Sequence, residues 1–229
     1  MSCRAEVQLG KVHDHEVKFN ISFRPFSELI NGTGTVATPS IGAASLYIDY
    51  VYLDTDERRQ FAQVQHEYLI EQLQFSGAES YTSTSIKSKL ALNHPVKELV
   101  WVYQYDANVA SGTTRDLSNY SSGGDQAVVD AKLQLNGQDR FSVRDGFYFN
   151  TVQPYQHHTR CPDVGIYVYS FALNPEQHQP SGSVNMSRID NASLLLTLAS
   201  SNAGQLRVYA VNYNVLRIMA GMGGLAYSN

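Results

Sequence analysis

Three groups of side chains in this sequence are of types that can do chemistry. His13 and His15 flank Asp14, and His157 and His158 stand just before Cys161, so imidazoles and a thiol lie at spacings compatible with zinc ligation. Neither group supplies four ligands, and the plainer reading of both is a solvated polar segment. Asp54, Asp56 and Glu57 form the densest carboxylate cluster, and paired carboxylates are the machinery of glycoside hydrolysis. Three acids at the start of a helix are, however, what the helix macrodipole favours with no catalysis involved. Arg58 and Arg59 follow directly and suit surface ion pairs or contacts between subunits. No GxSxG nucleophile turn, P-loop or dinucleotide-type glycine pattern occurs. No catalytic, cofactor-binding or metal residue is assigned, and the sequence reads as that of a non-enzyme.

Composition narrows the classes further. With 17 basic and 21 acidic residues the formal charge is -4, and no Lys/Arg block is present to track a phosphate backbone, so direct nucleic-acid binding is not expected. No apolar run approaches the roughly 20 residues that cross a bilayer, and the N-terminus lacks a basic segment followed by an apolar signal core. The chain reads as soluble and unsecreted. Its two cysteines, Cys3 and Cys161, form no CxxC pair, which fits a reducing compartment. Five Asn-x-Ser/Thr triplets begin at Asn20, Asn31, Asn119, Asn185 and Asn191, of which Asn119 is the best placed to carry a sugar; conventional glycosylation is not expected of a chain outside the secretory route.

The elements that must position these residues are mostly strands. Residues 16–24 alternate Val17, Phe19, Ile21 and Phe23 with polar neighbours, the pattern of a strand buried on one face. A Gly-, Thr- and Pro-rich loop at 31–40 follows. Residues 44–53 predict a second strand apolar on both faces, and the acidic run beginning at Asp54 predicts a short helix over 55–63. Strand character returns at 66–75, 81–92 and 98–105, the last two read as neighbours across a tight turn at His94-Pro95. Residues 106–126, polar and Gly/Ser-rich, predict an exposed, mobile loop. Strand 128–135 meets Asn136-Gly137, the strongest hairpin signal in the chain, and returns at 140–143. A short helix near 146–156, strands at 165–173, 193–198 and 206–218, and a tail at 220–224 with no strand or helix preference complete the chain. From residue 44 onward this is read as eight principal antiparallel strands with at most two short helices. The expected fold is all-β, an eight-stranded antiparallel jelly-roll sandwich, plus the extra N-terminal strand near Glu16.

Several stretches resemble one family. Residues 44–63 with 66–72 (His-Glu-Tyr-Leu-Ile-Glu-Gln), 94–101 (His-Pro-Val-Lys-Glu-Leu-Val-Trp), 187–192 (Ser-Arg-Ile-Asp-Asn-Ala) and 208–228 are similar to the C-terminal jelly roll of nucleocytoplasmic large DNA virus major capsid proteins, in flavour nearest the iridovirus- or marseillevirus-like members. The resemblance implies a late structural protein of the virion, assembled in the host cytoplasm. It implies a homotrimer that forms a pseudo-hexagonal capsomer and meets neighbouring capsomers and minor capsid proteins in an icosahedral shell. Family members carry two jelly rolls in tandem, so residues 1–39 are expected to be the remnant of a preceding jelly roll and residues 40–229 the C-terminal jelly-roll domain. The chain would then be a C-terminal fragment, a split gene product or a short paralogue. The alternative reading is a carbohydrate-binding, lectin-like β-sandwich that stacks sugars on loop aromatics.

Overall fold

The computed structural model describes residues 21–23, 25–26, 40–47, 49, 51–110, 116–219 and 222–228. The chain divides into two compact units, one of residues 71–214 and one of residues 1–70 with 215–228. Helix α1 (Thr55–Gln63) leads into the strands β1 (His66–Tyr81), β2 (Ser85–Leu90) and β3 (Pro95–Tyr105). After the single-turn helix α2 (Asp106–Val109) come β4 (Val128–Leu135) and the short β5 (Gln138–Asp139) and β6 (Arg144–Asp145). A π-helical turn at Tyr148–Val152 runs into α3 (Gln153–His157), followed by β7 (Ile166–Ser170), β8 (Val184–Asn185), a 3-10 turn at Met186–Arg188, β9 (Ala192–Leu198), β10 (Gly204–Met219) and β11 (Met222–Leu225).

The strands form two sheets. One has the order β1-β10-β3-β7, with β11 on β10 and β8 on β3; the other has the order β2-β9-β4-β5, with β6 on β4. Every pairing whose register is resolved is antiparallel. Strands from the two ends of the chain thus interleave in both sheets, the Greek-key wiring of a jelly roll, with β5 and β6 together filling the eighth place. Alternation explains the core: Ala192, Leu194, Leu196 and Leu198 of β9 are buried while Ser193, Leu195 and Thr197 between them are not. They meet Leu99, Trp101 and Tyr103 of β3 and Leu206, Val208 and Ala210 of β10 in one cluster. Trp101 lies with its ring centroid 5.1 Å from Phe149 and 6.0 Å from Tyr167, so the π-helical turn contributes directly to the core. The Asn136-Gly137 turn is as the sequence predicts. Both residues have positive φ (50° and 81°) and Leu135 pairs with Gln138, the geometry of a type I′ hairpin.

Several expectations need correction. The described residues of 44–53 lie outside any strand and are almost all exposed; alternation alone makes no strand without an edge to pair with. The eight-strand set is therefore filled from residue 66 onward. β2 and β3 are not neighbours, because β2 pairs with β9 and β3 with β10 and β7. The chain changes sheets at 91–94, where His94 adopts a positive φ of 63°. Residues 140–143 form a bend between β5 and β6 rather than a strand. The described part of the 106–126 loop is held down rather than loose: Leu117 O accepts from Gln104 Nε2, and a Cβ on Gly165 would stand 2.1 Å from Tyr120 O, so that loop backbone lies directly on the start of β7. The tail has strand structure as β11, which pairs with β10 from Leu216↔Leu225 to Met219↔Met222; hydrogen bonds from the partner strand organise a glycine run that has no preference of its own. The N-terminal strand read at 16–24 falls mostly outside the described residues, and residues 21–23 are exposed and not in a strand.

Candidate functional site

The carboxylate cluster at the start of α1 has a structural use. Asp54 caps α1: its Oδ1 accepts from Glu57 N at 2.9 Å, and Glu57 Oε2 accepts from Asp54 N at 3.3 Å, a complete capping box. Asp56 pairs with Arg59 at 3.5 Å in the open, and Arg58 Nε donates to Leu53 O. The three acids therefore serve the helix start and its surface, and they do not converge on a substrate-sized space.

His157 and His158 point to different partners. His157 Nδ1 lies 2.9 Å from Leu173 O, whereas His158 Nε2 lies 2.8 Å from Glu98 Oε2 on β3. Cys161 is exposed and free, and its nearest polar contact is Thr151 O at 3.7 Å. Among the described residues no three His, Cys, Asp or Glu side chains are grouped to hold a metal ion. His13 and His15 lie outside the described residues, as do Asn20 and Asn31. Asn119 Oδ1 accepts from Ser121 N and Oγ, Asn185 Oδ1 caps the 3-10 turn through Ser187 N, and Asn191 N donates to Asn136 Oδ1. All three remaining triplets are thus tied into turns. Of the tail glycines, Gly221 is outside the described residues and Gly223 and Gly224 sit in β11 opposite Ile218 and Arg217.

The most developed polar site was not anticipated. On β3, Lys97 and Glu98 stand side by side beneath the loops that follow β6 and β7. Lys97 is buried, with its Nζ 2.6 Å from Glu71 Oε1 and 2.6 Å from Pro175 O, and it lies over the Tyr213 ring. Glu98 takes His158, while Thr159 N and Oγ1 donate to Glu176, whose carboxyl is held below its ordinary range chiefly by that backbone N–H. Phe171 N and Ala172 N both donate to Lys97 O. One two-residue step of a strand thus anchors two loops to the outer face of the sheet. The register of β10 shifts between Val211 and Asn212 opposite this step, and the sequence carried its signal: two adjacent charges inside an otherwise apolar run break the period of two. The arrangement holds loops in place; it offers no nucleophile with a base, and nothing in it is spaced for proton transfer to a bound molecule.

Two further features bear on surfaces. The described residues contain no helix long and apolar enough to cross a membrane. Large apolar side chains stay exposed on the loops and sheet faces, among them Leu73, Phe75, Phe147, Tyr155 and Leu173, which is the kind of surface that meets other protein.

Comparison with known proteins accounts for this architecture. A family model described as the large eukaryotic DNA virus major capsid protein matches residues 57–224. The major capsid protein of Pyramimonas orientalis virus is 51% identical over 94% of this chain and 55% of its own length, and that of Phaeocystis pouchetii virus is 46% identical over 94% and 61%. Identity to the major capsid protein of Tipula iridescent virus is 23%, so the iridovirus likeness is the more distant one. Among solved structures, the quasi-atomic model of the PBCV-1 virus capsid matches with a TM-score of 0.64 and 40% identity, covering 79% of this chain and 56% of that chain. The chain spans about three fifths of the length of these relatives. By sequence and by fold, this chain belongs to the major capsid protein family of large eukaryotic DNA viruses.

Proposed function

We propose that the chain is a building block of an icosahedral viral capsid, acting by self-assembly and not by catalysis. In this reading the sandwich packs beside other copies in a trimeric, pseudo-hexagonal capsomer, which meets neighbouring capsomers and minor capsid proteins in the virion after late assembly in the host cytoplasm. Residues 40–229 are the jelly-roll domain and residues 1–39 belong to a preceding one. The observation that carries the proposal is the likeness, at 40% identity, to a protein solved as part of a virus capsid. It is supported by the use of buried ionic and polar groups to fix loops on the sheet, since a repeating lattice needs rigid, identical contact surfaces more than a reactive centre. The lectin-like alternative has no observation in its favour. Sedimentation and negative-stain microscopy of the purified chain test the proposal: a threefold species or shell fragments is the expected result, and a protein that stays monomeric at every concentration overturns it.

A further inference from the structure

Asn136-Gly137 turns the chain between β4 and β5, and the same two residues carry a reaction that needs no other side chain. A glycine after an asparagine has no Cβ to shield its backbone nitrogen. That nitrogen can attack the asparagine Cγ: the N–Cγ bond forms, the Cγ–Nδ2 bond breaks, and ammonia leaves with the proton of the glycine amide. The cyclic imide then takes up one molecule of water. Opening at Cγ gives aspartate, and opening at the main-chain carbonyl gives isoaspartate, whose backbone runs through Cβ and Cγ and is longer by a methylene. Nothing is oxidised or reduced.

The fold holds the reacting atoms apart. Asn136 and Gly137 have φ of 50° and 81°, and Leu135 pairs with Gln138. The type I′ turn so defined sets ψ of its first central residue at about +30°, which places the glycine nitrogen on the far side of the Cα–C bond from Cβ. Ring closure needs them on the same side. The side chain is pinned as well: Asn136 Oδ1 accepts from Asn191 N at 3.1 Å, while Asn136 N donates to Asn191 O at 2.7 Å. Yet both turn residues are exposed, and β5 is a two-residue strand at the edge of its sheet. It is tied down by Asp139, which takes Gln134 Nε2 at 2.7 Å and Lys132 Nζ at 3.2 Å, and by Arg140 N on Leu133 O at 2.8 Å. Short exposed edges open locally at a fraction of the cost of global unfolding. We infer that Asn136 is a modification site gated by this hairpin, inert while β4 and β5 are paired and deamidating when they part. The gate operates in a lone molecule and does not rest on the capsid reading. Its two products differ in consequence. Aspartate keeps the acceptor that holds Asn191 N, whereas isoaspartate puts a methylene into a two-residue turn, so Leu135 no longer faces Gln138 and β5 is lost from the sheet edge. Refolding cannot reverse that change.

The test uses the full chain, incubated in alkaline buffer both folded and in guanidinium chloride. Trypsin cuts after Lys132 and Arg140 and so releases the turn in one peptide, in which mass spectrometry and isoaspartyl-specific methylation count the two products. In denaturant, Asn136 is expected to convert at a rate comparable to Asn31, the other Asn-Gly pair of the chain, and in the folded protein at least about a hundredfold more slowly. Asp139→Ala unties Gln134 and Lys132 and is expected to raise the folded rate roughly fivefold, with amide exchange across β9 unchanged. Asn136→Asp is expected to fold like the parent chain, while molecules aged to isoaspartate in denaturant and then refolded are expected to lose protection of the Gln138 amide. Equal rates in the folded and denatured protein overturn the inference, as does an Asp139→Ala rate no different from that of the parent. A protected Gln138 amide in the refolded isoaspartate molecules also overturns it, because the hairpin would then tolerate the product.

Discussion

Lys97 and Glu71 give an asymmetric prediction. The Lys97 side chain is 3% exposed, that of Glu71 is 33% exposed, and Nζ lies 2.6 Å from Oε1. At an effective dielectric constant of about 20, a pair at that distance attracts by about 6 kcal/mol, most of it offset by the desolvation of Lys97. In Glu71→Ala the desolvation remains and the attraction is lost, and only Pro175 O and the face of Tyr213 still solvate the ammonium. Removing one partner of a buried pair costs about 3–5 kcal/mol. Release of the proton from an ordinary lysine at pH 7 costs about 5 kcal/mol and caps the penalty. In Lys97→Met the stranded group is Glu71, which turns to water, so the expected cost is about 1 kcal/mol. The double variant is expected to match Lys97→Met, leaving a coupling of about 3–5 kcal/mol, equal to the Glu71→Ala cost. The single tryptophan, Trp101, is buried in the same unit, so denaturant unfolding followed by its fluorescence reads all three. Equal costs for the two single variants, or a Glu71→Ala cost below about 1 kcal/mol, would refute the reasoning.

Other outcomes follow from the core. Tyr167→Phe removes the hydroxyl that accepts from the buried Val128 N at 2.9 Å, and the orphaned N–H is expected to cost about 1–3 kcal/mol. Thermal unfolding should fall by about 2–4 °C per kcal/mol for a chain of this size, and an unchanged midpoint would show that water replaces the hydroxyl. Gly165→Ala places a Cβ 2.1 Å from Tyr120 O at a φ of +91°, and should cost more than about 2 kcal/mol and free the 116–126 loop, seen as raised proteolysis there. Burial pushes the Tyr103 hydroxyl up to about 12, with Tyr105 and Asp106 adding to it, and pushes Tyr167 further still. Because the folded protein keeps protons that the unfolded chain releases near pH 10, this stability is fully present below pH 10. It is lost as pH climbs toward 12, at up to about 1.4 kcal/mol per pH unit for each such tyrosine. Tyrosinate absorbance from these two should appear only together with loss of the Trp101 signal; ionisation near pH 10 with the core intact would contradict it.

The parts of the fold that were legible in the sequence are those decided locally. The strict alternation of β9, the paired positive φ angles of Asn136-Gly137 and the Asp54/Glu57 capping box each depend on residues within a few positions of one another. What was illegible depends on a distant partner. β11 exists because β10 offers an edge to a glycine run, and the described residues of 44–53 form no strand because nothing in their pattern creates an edge. The change of sheet at 91–94 is similar: a tight turn and a crossing between layers leave the same His-Pro punctuation, and only the pairing of β2 with β9 separates them.

The same distinction explains why the sequence yielded a family and no site. A catalytic centre compresses its evidence into a few residue types at fixed spacings, whereas a surface that works by fitting copies of itself spreads its evidence over shape. What remains local is the means of holding that shape still. Lys97 and Glu98 anchor the loops after β6 and β7 through Pro175 and His158, and Lys97 is paired with Glu71 of β1, at a point where two adjacent charges stand inside a strand. A loop ordered before any neighbour arrives loses little further freedom on contact, so each contact in a lattice keeps more of its modest energy. In the capsid reading, the polar contacts that Lys97 and Glu98 make to these loops therefore serve assembly indirectly, by meeting the entropy cost of loop ordering at folding rather than at every interface.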